Sequence, residues 1–312
     1  MKQYLLYLRD HLRETFELRA FLGIVGLLVL LIVLNYSIEL EDYYIDRLFF
    51  ESPIRTLLYF LLQAGSFLLA AIIIGHSSKT GLSFLSNRMF WFYLLITFGI
   101  YAFDRGFYAH LYLREFFPKK IQIPLLYFIA ELRSLLTIFL PFLLFYLAYD
   151  KKHINHFYGI KRKGVNWKPY LLMLLIMLPF IGLASTTDAF QSTYPIYGRI
   201  KGHLLAGYFD VSESWVILIY EFFYGLDFLN TELFFRGVLV FIFVRFLGPK
   251  AIYPIAVTYC VCHFGKPPLE AVSSFFGGYI LGVISLKSEN IWGGVFIHAG
   301  IALLMEIFAL VV

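Results

Sequence analysis

Charge is scarce in this chain: Asp, Glu, Lys and Arg make up 15% of its 312 residues. What charge there is falls mostly between long apolar runs. A soluble helical domain would interleave its charges with its core positions, so the distribution excludes one. Cysteine is scarcer still. The two present, Cys260 and Cys262, share one apolar run and cannot build a disulfide framework. Also missing is any Lys/Arg-rich tract with interleaved aromatics, which argues against a nucleic-acid partner. The net charge of +5 points instead to cytoplasmic loops and anionic headgroups. No internal repeat or low-complexity tract occurs, and no polar stretch is long enough for a soluble domain. The missing repeat also disfavours a transporter assembled from inverted halves.

What the chain has in excess is apolar surface. Hydrophobic residues make up 60% and aromatics 20%, against roughly 45–50% apolar in soluble domains. About 20 uninterrupted apolar residues cross a bilayer. Such runs lie near 20–38, 55–75, 89–103, 125–149 and 170–187, then near 214–230, 231–247, 251–265, 268–286 and 291–312. The expectation is an all-α, polytopic transmembrane helical bundle of eight to ten helices, with the lipid bilayer as its surroundings. The last runs are short and closely spaced, as half-helices and re-entrant segments are. Residues 1–19 carry charges of both signs, with Leu5, Leu8, Leu12 and Phe16 at helical spacing. They read as an interfacial amphipathic helix or a solvated helical tail, and not as a cleavable signal peptide. Residues 20–213 follow as accessory spans and 214–312 as a denser core.

Orientation follows from loop charge. Segment 150–169 carries Lys151, Lys152, Lys161, Arg162, Lys163 and Lys168 against Asp150, and is expected inside. Segment 36–54, with Glu39, Glu41, Asp42, Asp46 and Glu51 against Arg47, is expected outside. Both fit a cytoplasmic N-terminus. Segment 104–124 fits less well, because Arg105, Arg114, Lys119 and Lys120 would then be outside.

An ionisable residue inside an apolar run costs a few kcal/mol and is a functional candidate by default. Here these are Asp104, Arg105, Glu131, Arg133, Glu221, Asp227, Glu232, Arg236, His263, His298 and Glu306. Asp104 and Arg105 read as the mouth of a span, Glu131 and Arg133 as structural groups paired with other helices. Glu221 and Asp227 read as lying near helix ends, and Glu306 as a tertiary ion-pair partner. Glu232 and Arg236 are different, since i and i+4 stack on one helix face and suit an intramembrane ion pair. His263 follows near the end of one apolar run, in Tyr259-Cys260-Val261-Cys262-His263, and His298 lies inside the last. One carboxylate, one arginine and two imidazoles can activate a water and stabilise an oxyanion, or hold a metal.

In that order these residues resemble the CPBP family, the CAAX protease and bacteriocin-processing (Abi) intramembrane proteases, over roughly residues 214–312. In the motif Glu-Glu-x-x-x-Arg followed by Gly, Glu232, Arg236 and Gly237 match. In Phe-x-x-x-His, Tyr259 and His263 hold the positions, and His298 matches the His of the third motif. Thr231 stands where the family has its first Glu, and Ala302 where it has an Asn. The resemblance implies an intramembrane endopeptidase acting on a membrane-associated or prenylated peptide or protein. Its water is activated by Glu232 and His263, its oxyanion is held by His298, and Arg236 fixes Glu232. The two departures leave open an inactive pseudoprotease serving as a membrane scaffold. The metal is open too: Glu232, His263 and His298 could supply three zinc ligands, yet Glu232 cannot easily be both ligand and base. The family also implies a bacterial cytoplasmic membrane.

Overall fold

A computed structural model describes residues 2–77, 81–161 and 165–311, so Arg162 and Lys163 of the basic segment lie outside the described residues. Among these residues the chain is helical and contains no strand. In chain order the α-helices are α1 Lys2–Thr15, α2 Leu18–Ile38, α3 Pro53–Ser77, α4 Arg88–Gly106, α5 Gln122–Ser134, α6 Leu140–Ala148 and α7 Trp167–Ala184. There follow the short α8 Asp188–Gln191 and α9 Gly202–Phe209, then α10 Glu213–Glu232, α11 Leu239–Leu247, α12 Ile252–Val261, α13 Pro268–Ser288 and α14 Trp292–Val311. Three stretches widen to π geometry: Leu40–Arg47, Leu135–Phe139 and Leu233–Val238.

Seven of the described helical stretches are long and apolar enough to cross a membrane. This is an integral, multi-pass membrane protein. The count is lower than eight to ten for two reasons. The three runs expected between 214 and 265 form one helical stretch, Glu213–Val261, and α4 is not among the seven. Within that stretch α11 and α12 have 9 and 10 residues. Each is about 15 Å long, half of a bilayer core.

The chain divides into two compact units. The first comprises Met1–Gly106, Phe142–Gly164 and Leu233–Ile291. Its axis is α12, buried at every residue and packed on α13, α3 and α2. In an apolar surround close approach comes from small residues. A Cβ on Gly278 would lie 2.9 Å from the Tyr259 ring, so α13 needs glycine there to reach α12. A buried carboxylate needs internal partners here, because lipid offers it nothing. Asp150, fully buried, accepts hydrogen bonds from Tyr93 Oη at 2.7 Å and Tyr158 Oη at 2.8 Å, with Arg245 Nη1 at 3.4 Å.

Helix α1 packs one face on this unit. Its buried His11 sits with Nδ1 2.7 Å from Tyr279 Oη and Nε2 2.9 Å from the Pro249 carbonyl. Burial holds the imidazole below the ordinary histidine value of 6.5. Folding therefore favours neutral His11, and that stability is present above 6.5 and falls as pH drops through it, where the unfolded chain takes the proton. The thermal midpoint should fall between pH 7 and pH 5, and by less in His11→Gln. Equal pH slopes in the two proteins would refute the assignment.

The second unit comprises Phe107–Pro141, Val165–Glu232 and Trp292–Val312. Here α14 packs on α7 and α10, and α10 on α5. Gly293 meets the Tyr170 ring, so α14 can approach α7 there only with glycine, and Gly300 lies against the end of the Leu174 side chain. Asn166 caps α7, its side-chain oxygen accepting the Lys168 amide at 3.3 Å.

Candidate active site

The second unit holds two of the residues singled out by sequence. Glu232, the last residue of α10, is fully buried. A lone carboxylate there would cost several kcal/mol. His298 of α14 supplies a partner: its Nδ1 lies 3.1 Å from Glu232 Oε1, an ion pair when the ring is protonated. The other face of the imidazole packs 4.4 Å from the Phe228 ring, one turn before Glu232 on α10.

The fit of this pair depends on Gly293 and Gly294. A Cβ on Gly294 would overlap Glu232 Oε2, and a Cβ on Gly293 would enter the Tyr170 ring. Gly294 precedes His298 by four residues, so the glycine and the imidazole share the helix face that meets Glu232. The Gly-Gly pair was visible in the sequence, but nothing there indicated which side chain needed the space. Ala302, one turn beyond His298, is buried. An alanine offers no side-chain hydrogen bond where the family pattern has an amide.

The other two residues belong to the first unit. Arg236 lies in the π stretch and is almost wholly buried. Its guanidinium carbon stands 3.8 Å from the centroid of the Tyr259 ring, and its carbonyl accepts from Ser285 Oγ at 2.8 Å. A desolvated cation over an aromatic face gains about 2 kcal/mol. That gives the aromatic of the second motif a physical role as the platform for the arginine of the first. The glycine after Arg236 has a reason as well. A Cβ on Gly237 would lie 2.6 Å from the Tyr158 carbonyl oxygen.

His263 follows the last turn of α12, beyond the candidate span that ends at Val261. Its Nδ1 lies 2.8 Å from the Tyr259 carbonyl, and its ring meets the Tyr259 ring edge-on at 4.7 Å. The carbonyl fixes the proton on Nδ1 and leaves Nε2 as the acceptor nitrogen of the neutral ring. Burial holds this imidazole below the ordinary value of 6.5, so it is neutral at neutral pH. Cys260 and Cys262 are free thiols.

Several of the remaining candidates have structural partners. Glu131 Oε1 accepts from Tyr220 Oη at 3.3 Å. Asp227 accepts the Ser134 hydroxyl, which in turn accepts from Asn230 at 2.6 Å. Asp227 and Glu221 lie within α10 and not at its ends. Glu306 accepts the backbone amides of Ile196 and Tyr197 at 2.9 and 3.2 Å. Asp104 and Arg105 end α4. Among the described residues no three His, Cys, Asp or Glu side chains are grouped to hold a metal ion.

Comparison with known proteins bears on the same segment. Residues 211–304 match the family model of the type II CAAX prenyl endopeptidase Rce1-like proteins. That is the family the three motifs resemble, and the match contains Glu232, Arg236, His263 and His298. No curated protein and no solved structure matches the chain.

Proposed function

We propose that this protein is a CAAX-type intramembrane endopeptidase that hydrolyses a peptide bond of a membrane-associated or prenylated peptide or protein. The buried Glu232 carboxylate held by His298, inside the segment that matches the prenyl endopeptidase model, carries the reading. Glu232 is the general base and takes a proton from the attacking water. His263 Nε2 accepts from the same water, a role that rests on its motif position and its neutral, Nδ1-anchored ring. His298 keeps Glu232 in one orientation and, as the imidazolium, offers Nε2–H to the oxyanion of the tetrahedral intermediate. Arg236 fixes Glu232, a role that rests on its place in the first motif. Glu232 acts on water directly in this scheme. The basic loop 150–169 supports a cytoplasmic N-terminus, and the family supports a bacterial membrane.

The test is purified protein in detergent with a library of prenylated and unprenylated peptides, read by mass spectrometry across pH and with a chelator. New products are expected, with a rate that falls at acid pH, below the ordinary histidine range, as His263 gains a proton. A flat rate from acid to alkaline pH removes the roles of Glu232 and His263. Loss of all products with chelator replaces direct water activation by a metal, and no products under any condition moves the reading to a membrane scaffold.

A further inference from the structure

Helix α3 carries a polar ladder at every fourth residue, Arg55, Tyr59 and Gln63, before Phe67 takes the next place. Residues four apart stack on one helix face. Arg55, in the first turn, pairs with Asp46 at 2.8 Å. Tyr59 is wholly buried and donates to Asp46 Oδ1 at 2.6 Å. Gln63 is wholly buried too, and neither its Oε1 nor its Nε2 has a partner among the described residues. It lies about 15 Å along α3, half of a bilayer core, where lipid offers an amide nothing. The ladder stops at Phe67, whose ring packs 5.3 Å from that of Phe98 and 4.5 Å from that of Phe243.

Helix α4 packs on α3 and brings polar groups of its own to this face. The Arg105 guanidinium stands 4.9 Å from the Tyr59 ring, and its Nη2 donates to Glu41 Oε1 at 2.7 Å. Arg105 Nε and Glu41 Oε2 are buried with no partner among the described residues. With the two Gln63 atoms they make two donors and two acceptors along one seam. A cation would leave the donors unmet and an anion the acceptors, and Glu41 and Arg105 already cancel in charge. Water donates and accepts at once, and it is the ligand that buried groups of both kinds hold inside proteins.

The seam opens beside the His263 turn. The Glu41 amide donates to Asn35 Oδ1 at 3.1 Å, and Asn35 Nδ2 donates to the Phe264 carbonyl at 3.2 Å. Tyr36 Oη donates to the Lys266 carbonyl at 2.7 Å. The end of α2 thus grips the turn on both sides of Gly265. Gly265 and Asp42 are exposed, and Arg105 keeps 32% of its side chain exposed. Around a Cβ built on Gly265, apart from its chain neighbours, only Asp42 Oδ1 at 3.5 Å and Glu41 Oε1 at 3.7 Å come within 4 Å. The mouth is therefore open and edged with oxygen. Further in, Tyr101, one turn before Arg105 on α4, is hydrogen-bonded to the Cys262 thiol, whose Sγ lies 3.7 Å from His263 Nδ1.

We infer that the seam between α3 and α4, from Glu41 to Gln63, binds internal water and supplies the water consumed at the His263 turn. The use of that water rests on the endopeptidase reading, but its detection needs no turnover. Detergent-solubilised protein in isotopically labelled water is exposed to a brief X-ray pulse, and the side chains oxidised by hydroxyl radicals are located by mass spectrometry. Bound water makes a buried neighbour reactive, so Tyr59 and Tyr101 should label within about threefold of the exposed Tyr43 and Tyr44. Phe67 and Phe98, buried in the aromatic cluster beyond the ladder, should label roughly tenfold more slowly. Labelling of both tyrosines as slow as that of Phe67 overturns the inference. Gln63→Met keeps the length of the side chain and removes both polar atoms. It should lower Tyr59 labelling about fivefold and slow cleavage roughly tenfold at an unchanged KM, with no loss in thermal midpoint. Unchanged labelling with a raised midpoint would mark Gln63 as a dry, unpaired amide and overturns its role. Lost labelling with unchanged cleavage makes the water structural and overturns the supply. If wild type cleaves nothing yet both tyrosines label, the water site stands and the endopeptidase reading alone fails.

Discussion

Glu232→Gln is expected to lower kcat by roughly a thousandfold while leaving the protein folded. The amide has the shape of the carboxylate, and its carbonyl oxygen can still accept from His298 Nδ1 across the 3.1 Å now spanned by Oε1. What it cannot do is take a proton from water, and loss of a general base costs about 10²- to 10⁴-fold. Glu232→Ala should behave differently. It removes the partner of a histidine and leaves a hole at a fully buried position, so it should lose stability as well as rate, by about 3–5 kcal/mol. The comparison needs single-turnover rates by mass spectrometry and thermal midpoints of all three proteins in one detergent. If the glutamine variant turns over within tenfold of wild type, Glu232 is not the base. The pair with His298 would then be a structural bridge between α10 and α14.

The sequence revealed more of the membrane architecture than of the site geometry, and the reason differs by region. Apolar run length marked the spans at 18–38, 53–77 and 268–288 to within a few residues, because bilayer thickness fixes that signal. Between 213 and 261 hydropathy could not separate one helix from three. The chain there passes from α to π geometry at Leu233 with no proline or glycine to mark the start. Two further partners are His298 for Glu232 and the Tyr259 ring for Arg236. These come from residues 66 and 23 positions away, beyond the reach of local spacing. The grip of Asn35 and Tyr36 on the His263 turn was equally hidden. Nothing in an asparagine and a tyrosine at the end of the first span points to carbonyls at 264 and 266. The motifs named the chemical groups; tertiary structure decided which of them meet.

Gly294→Ala should separate geometry from chemistry, because it alters no group with a proposed catalytic role. A single methyl at this position would overlap Glu232 Oε2. The neighbour that must give way is the end of a short side chain whose other oxygen is held by His298, so the strain falls on that pair. Either the carboxylate rotates off His298 or α14 retreats, and a displacement of about 1 Å costs on the order of a hundredfold in rate. The expected result is a kcat lower by roughly that factor, a KM changed little, and a thermal midpoint lowered by a few degrees. The adjacent Gly293→Ala is the control. Its methyl would enter the Tyr170 ring, on the side of α14 that packs against α7. There the cost should appear as stability, with kcat of the surviving folded protein close to wild type. If both substitutions lower kcat and stability in the same proportion, α14 acts only as a packed wall. Rate loss confined to Gly294→Ala would show that the space this glycine leaves open is what allows Glu232 and His298 to meet.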